Sequence, residues 1–120
     1  MFVIQSRQRS VGWIQWYRWS DYPDHARKLG AGPDSAGIDL AIGDAGMLGI
    51  GLGPAAIQAF VNQCIFNDPA IDTVVVDPEE RNIRSVRAFT KAGFRLAGAV
   101  QLEGEPFSRS VMALTRSAGA

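Results

Sequence analysis

Along the first twenty residues two apolar-rich segments stand apart, separated by the polar run Gln5-Ser6-Arg7-Gln8-Arg9-Ser10. Phe2-Val3-Ile4 open the chain, and Val11, Trp13, Gln15, Tyr17 and Trp19 then share one face. A period of two predicts strands over residues 2–7 and 11–19, joined by a turn at 8–10 into an antiparallel hairpin. Residues 20–35 mix prolines, glycines and charges with no sustained period, and are expected to form a long surface loop. Residues 36–42 return to a strand pattern. The period then changes to 3.6: after Gly53 as cap and Pro54 at the first helical position, Ile57, Phe60, Val61, Cys64 and Ile65 form one apolar stripe, ending near Asn67 ahead of Pro69. Residues 71–76 read as a short interior strand that Asp77-Pro78 breaks, so the order is strand, helix, parallel strand.

Asn82 is an N-cap candidate for a second helix with Ile83, Val86 and Phe89 inward and Arg84, Arg87 and Lys91 outward. Gly93 stands where a left-handed residue ends such a helix, which lets Phe94 fold back on Phe89. Residues 95–102 and 107–115 flank Glu103-Gly104-Glu105-Pro106 as a closing hairpin, and residues 117–120 are expected to fray. No internal repeat or second domain interrupts the pattern, so residues 1–120 read as a single domain.

Composition narrows the partners. Twelve basic and twelve acidic residues cancel, which leaves no electrostatic footprint for nucleic acid or an anionic membrane. No run is long and apolar enough to span a bilayer and no leader pattern follows Met1, so a soluble, unprocessed protein is expected. Cys64 is the one cysteine; it cannot form an internal disulfide and fits a reducing, cytoplasmic compartment. The three tryptophans have one basic residue among them, Arg18, and no basic stripe, and read as sheet packing or pocket wall rather than base-stacking platforms.

Two features carry candidate chemistry. Asp39 lies near the middle of an apolar strand, where a carboxylate needs a partner or a task. Met47-Leu48-Gly49-Ile50-Gly51-Leu52-Gly53 is a glycine-rich turn opening a helix, whose unpaired N–H groups and positive dipole end suit a phosphorylated ligand. It lacks the third glycine of the dinucleotide fingerprint and the Gly-Lys-Ser/Thr of a P-loop. A tight strand-to-helix corner is the alternative reading of the same glycines. Asp77 ends the following strand, where a ribose-binding acid sits in dinucleotide folds.

Taken in order, Gly37-Ile38-Asp39, the glycine turn, Asp77-Pro78, Asn82 and Lys91-Ala92-Gly93-Phe94 resemble the acyl-CoA N-acyltransferase (GNAT) superfamily, and within it the aminoglycoside 6'-N-acetyltransferases. The resemblance runs over nearly the whole chain. It implies an α/β fold: a mixed sheet with an antiparallel N-terminal hairpin, two helices packed on a central splayed strand pair, and a closing C-terminal hairpin.

The resemblance also implies acetyl-CoA as co-substrate, with no metal, and an amine acceptor of the aminoglycoside type. Backbone N–H groups of Leu48, Gly49, Ile50, Gly51, Leu52 and Gly53 would hold the pyrophosphate, and Asn82 the pantetheine or thioester end. Asp39 would be general base or amine-binding acid, with Asp77 a second carboxylate near the acceptor. Chemistry of this kind needs a proton taken from an ammonium so that the free amine can attack the thioester in a ternary complex.

Three departures stand out. Phe89 occupies the place where the family commonly has a tyrosine that reprotonates the departing thiolate. Ile50 stands where close relatives carry a lysine, so Arg84 or Arg87 would have to supply phosphate charge. The chain also begins at what resembles the family's second strand, an N-terminal truncation that would leave residues 2–7 as an open sheet edge and favour a homodimer. A noncatalytic acyl-CoA-binding module, or an acyltransferase for a siderophore lysine or a protein amine, are the alternatives.

Overall fold

The expected hairpin forms the N-terminal edge of one six-stranded mixed sheet. The structure, a computed structural model, describes residues 2–6, 9–42 and 52–116, with side chains over 14–39 and 54–116. Strand β1 (Phe2–Ser6) pairs antiparallel with β2 (Arg9–Arg18), Phe2 opposite Ile14 and Ser6 opposite Arg9. The connection is tighter than the sequence suggests, since Arg9 and Ser10 already belong to the ladder. β2 runs unbroken beside β3 (Ser35–Ile42), from Gly12 opposite Ile42 to Arg18 opposite Ala36. Strands β4 (Thr73–Val76), β5 (Arg95–Val100) and β6 (Arg109–Thr115) complete the sheet in the order β1-β2-β3-β4-β6-β5.

Between β2 and β3 the expectation of a loop is wrong. Trp19–Asp21 form a 3-10 turn rather than the end of a strand, and Pro23–Leu29 form a short helix, α1. Pro23 supplies a pre-set φ at the first turn, and Gly30 closes the helix in the left-handed region at φ 74. Ala26 and Leu29 are buried one turn apart. Two turns are too short to display a helical period, so the apolar spacing carried no visible signal.

Helix α2 (Leu52–Phe60) begins at Leu52, so Gly53 lies within its first turn instead of capping it, and it continues into a π-helical turn at Val61–Ile65. The apolar stripe holds through the change of pitch: Ile57, Phe60, Val61 and Ile65 are buried and Cys64 half-buried. Helix α3 (Ile83–Lys91) starts at Asn82, whose side-chain oxygen accepts from the Ser85 N–H at 3.2 Å. It ends in a Schellman motif: Phe94 N–H donates to the Phe89 carbonyl at 3.0 Å and Gly93 N–H to the Thr90 carbonyl at 3.1 Å, with Gly93 at φ 105. Phe94 and Phe89 meet edge-on at 5.1 Å. Ile83 departs from the sequence reading, being 58% exposed. Three-residue steps drift by about 60° each on a helix, which carries Ile83 about 120° round from Phe89, away from the Ala88, Phe89 and Ala92 side.

Alternation along β4 divides the core in two. Val74 and Val76 face α2 and α3 and pack with Ile57, Val61, Phe89 and Met112. Val75 faces the other way and packs with Trp19, Ala26, Leu29 and Val111 beneath α1. Residues 71–72 precede β4 rather than belonging to it, although Ile71 is fully buried.

Candidate functional site

β3 and β4 are parallel and paired only at Ser35–Thr73 and Ala36–Val74. Beyond those pairs the two strands diverge, as a splayed pair does, and their ends face one another across a cavity of about 370 Å³. Ile38 and Asp39 line it from β3, Val76 and Asp77 from the β4 side, and Asn82, Ser85 and Phe89 from the start and body of α3. Backbone groups of diverging strands are left without ladder partners, and an extended ligand can use them as a neighbouring strand would.

A second cavity, about 420 Å³, lies against β2 and α1 and is lined by Gln15, Trp16, Tyr17, Trp19, Tyr22, His25 and Asp39. Asp39 lines both cavities. Its side chain is exposed and accepts a hydrogen bond from Gln15 Nε2 at 3.3 Å, the residue opposite it across the β2–β3 ladder.

Aromatic residues wall the second cavity because alternation along β2 sends Gln15 and Tyr17 to one side, and the 3-10 turn that follows carries Trp19 against Tyr17. Trp19 is only 2% exposed, and its indole N–H donates to the Val75 carbonyl at 3.0 Å. Tyr17 meets Trp19 edge-on at 5.1 Å and Tyr22 at 5.4 Å. Gly37 lies opposite Tyr17, and any Cβ there would overlap the phenol ring. Burial pushes the Tyr17 hydroxyl well above the usual phenol range, and the negative charges of Asp39 and Asp77 add to the shift.

Asp77 is 13% exposed and sits among charges. His25 Nε2 lies 2.8 Å from its Oδ2, and Arg109 Nη1 is 3.7 Å from the same oxygen while donating to the Asp77 carbonyl at 3.0 Å. Arg109 also grips Glu105 with both arms of its guanidinium, at 2.7 and 2.8 Å. That bidentate bond holds the Glu105 carboxyl below its ordinary range and the guanidinium above its own.

The structure therefore brings Asp39, Asp77 and Asn82 to one cavity. Leu48, Gly49, Ile50 and Gly51 lie outside the described residues, and Leu52 and Gly53 form the start of α2. Arg84 and Arg87 stand exposed on α3 and line neither of these two cavities. Sequence reasoning gave no role to His25, Tyr17, Arg109 or Glu105. Tyr17 was legible from alternation, and His25 from being the one histidine in the chain; Arg109 carried no local signal, since only the fold of the closing hairpin brings it to Asp77. Among the described residues no group of three His, Cys, Asp or Glu side chains is arranged to hold a metal ion.

Residues 1–102 match the family model described as an acetyltransferase (GNAT) domain. Over 74 residues the chain is 38% identical to a kanamycin resistance protein of Rhizobium radiobacter, covering 62% of this chain and 68% of that one. It has the same identity and length of match to an aminoglycoside N(6')-acetyltransferase type 1 of Klebsiella pneumoniae, covering 62% of this chain and 36% of the relative. Its fold matches a crystal structure of the aminoglycoside acetyltransferase AAC(6')-Ib in complex with coenzyme A and kanamycin, with TM-score 0.74 and 29% identity, covering 95% of this chain and 64% of that one. The chain thus spans less than two thirds of the length of that structure and of the Klebsiella relative.

Proposed function

The chain belongs to the acetyltransferase (GNAT) superfamily, with aminoglycoside 6'-N-acetyltransferases among its close relatives, and from that premise we propose that it transfers an acetyl group from acetyl-CoA to a primary amine of a small cationic acceptor, an aminoglycoside 6'-amine first. The observation that carries the proposal is the position of Asp39, the side chain common to the cavity at the splayed strands and the aromatic cavity beside it. A carboxylate between two binding spaces can take a proton from an acceptor in one as it reacts with a donor held in the other.

In this reading acetyl-CoA supplies the acyl group as a thioester. The turn at Leu48, Gly49, Ile50, Gly51, Leu52 and Gly53 binds its pyrophosphate through backbone N–H groups, and the space between β3 and β4 takes the pantetheine arm. Asn82 keeps its capping bond to Ser85 and offers its amide N–H₂ to that arm. Arg84 and Arg87 supply cationic charge near the phosphates. Asp39 accepts the ammonium proton; the amine nitrogen bonds to the carbonyl carbon, the carbon–sulfur bond breaks, coenzyme A leaves as the thiolate, and the second proton of the nitrogen passes to water as the amide forms. Asp77 adds negative charge near the amine. A backbone N–H beside Asp39 on the splayed stretch of β3 polarises the carbonyl as negative charge develops on its oxygen.

Phe89 lines the same cavity and cannot return a proton to the thiolate. A thiolate with a conjugate-acid pKa of about 8.5 is a tolerable leaving group without help, so the reaction is slowed rather than prevented. The same phenyl ring favours a second reading, a module that binds acyl-CoA without turning it over. One experiment separates the two: acetyl-CoA binding is followed by calorimetry, and thiol release is followed with kanamycin present. Binding with thiol release supports the enzyme, binding alone supports the module, and no heat with acetyl-CoA at millimolar levels removes both. We further infer a cytoplasmic homodimer that covers the edge of β1, the strand at one margin of the sheet. Among the described residues no helix is long and apolar enough to cross a membrane.

A further inference from the structure

We propose that His25 is a positioning residue that, together with Arg109, fixes one oxygen of Asp77 so that the other is presented to the acceptor amine. The inference rests on the acceptor reading above and adds to it a residue contributed by α1.

The geometry is specific. The His25 and Arg109 contacts both fall on Oδ2 of Asp77, at 2.8 and 3.7 Å. A carboxylate has about four acceptor sites on two oxygens, so Oδ1 keeps its capacity for an ammonium N–H. His25 lines the aromatic cavity and Asp77 the cavity at the splayed strands, so the pair joins the two spaces. The imidazole is itself held: its ring centroid lies 5.1 Å from that of the buried Trp19 indole. α1, which carries it, is anchored by Ala26 and Leu29 in the core with Val75 and Val111.

Chemistry favours an Nε2–H tautomer donating to the ionised carboxylate, which leaves the 40% exposed ring its second nitrogen for water. Arg109 alone would not give the same orientation, because its guanidinium is already engaged by the Glu105 carboxylate and the Asp77 carbonyl. A mere tether for α1 would need the contact only for stability. A positioning role requires the N–H donor for amine affinity.

The test uses three variants of the full chain and two readouts that need no turnover. Calorimetry with kanamycin as the probe, in the presence of coenzyme A, gives amine affinity. With a single histidine in the chain, a long-range ¹H–¹⁵N spectrum of the imidazole reads the tautomer without assignment. His25→Ala is expected to weaken kanamycin binding about tenfold and leave coenzyme A affinity within about twofold, the loss of one hydrogen bond to a charged group. His25→Gln keeps an N–H donor and is expected to restore most of that loss, and Asp77→Asn is expected to shift the imidazole away from the Nε2–H form.

An unchanged kanamycin affinity in His25→Ala, no rescue by His25→Gln, or an imidazole spectrum indifferent to Asp77→Asn would each overturn the proposal. Failure of the underlying acceptor reading looks different: the wild-type chain itself then shows no kanamycin heat and releases no thiol, whereas failure of the His25 proposal leaves wild-type kanamycin binding in place and the variants without the expected change.

Discussion

Asp39 is exposed, and its side chain accepts a hydrogen bond from Gln15 across the ladder, so removing its charge leaves the core untouched. Asp39→Asn is expected to lower kcat/KM for the amine by about 10²–10⁴, the usual worth of a positioned general base, with coenzyme A binding and Tm little changed. A variant with wild-type turnover would remove Asp39 from the chemistry. Tyr17 gives a prediction on pH. Its folded hydroxyl is held above the ordinary value of 10.0, so above that pH the unfolded chain releases the proton while the folded chain retains it. The unfolded state then binds fewer protons, so this contribution to stability is present below about pH 10 and is lost as pH rises beyond it. In a Tyr22→Phe variant Tyr17 is the remaining phenol. Its phenolate absorbance should appear at higher pH in the folded chain than in urea, and coincident curves would contradict the placement.

Most elements were legible because local physics writes them. A period of two along residues 11–19, an apolar stripe from Ile57 to Ile65, and the Asn82 and Gly93 punctuation each depend on neighbours within one or two turns. The Schellman motif at Gly93 is the clearest case, with both of its hydrogen bonds and the Phe89–Phe94 contact present. Gly93→Ala forces an L side chain to φ 105 and is expected to cost about 1–2 kcal/mol in urea unfolding. A cost near zero would mean that the turn relaxes. Helix α1 was not legible for the converse reason: its two buried residues become meaningful only when Val75 and Val111 lie beneath them. The inward assignment of Ile83 failed because a three-residue spacing alone does not say which side of the stripe faces the sheet.

At the scale of the whole molecule the sheet order leaves β1 and β5 as margins. The β5 ladder carries an irregularity between Leu96 and Gly98, a device that discourages edge pairing, and β1 has one between Ile4 and Gln5. We expect a dimer through β1 all the same. Light scattering at micromolar concentration should return twice the mass of one chain, 13.0 kDa, and a single-chain mass would count against it.

By itself the sequence determined the elements other than α1 and the turn before it, the strand–helix–parallel strand core, the family resemblance, and Asp39, Asp77 and Asn82 as residues to watch. These follow from patterns whose energetics are local or periodic, in backbone bonding, capping and the burial of one face. The tertiary structure alone decided which distant groups meet. His25 and Asp77 are 52 residues apart, and Arg109 reaches Asp77 across 32. Contacts of that kind depend on strand order and on where β3 and β4 part, and no short window of residues encodes either.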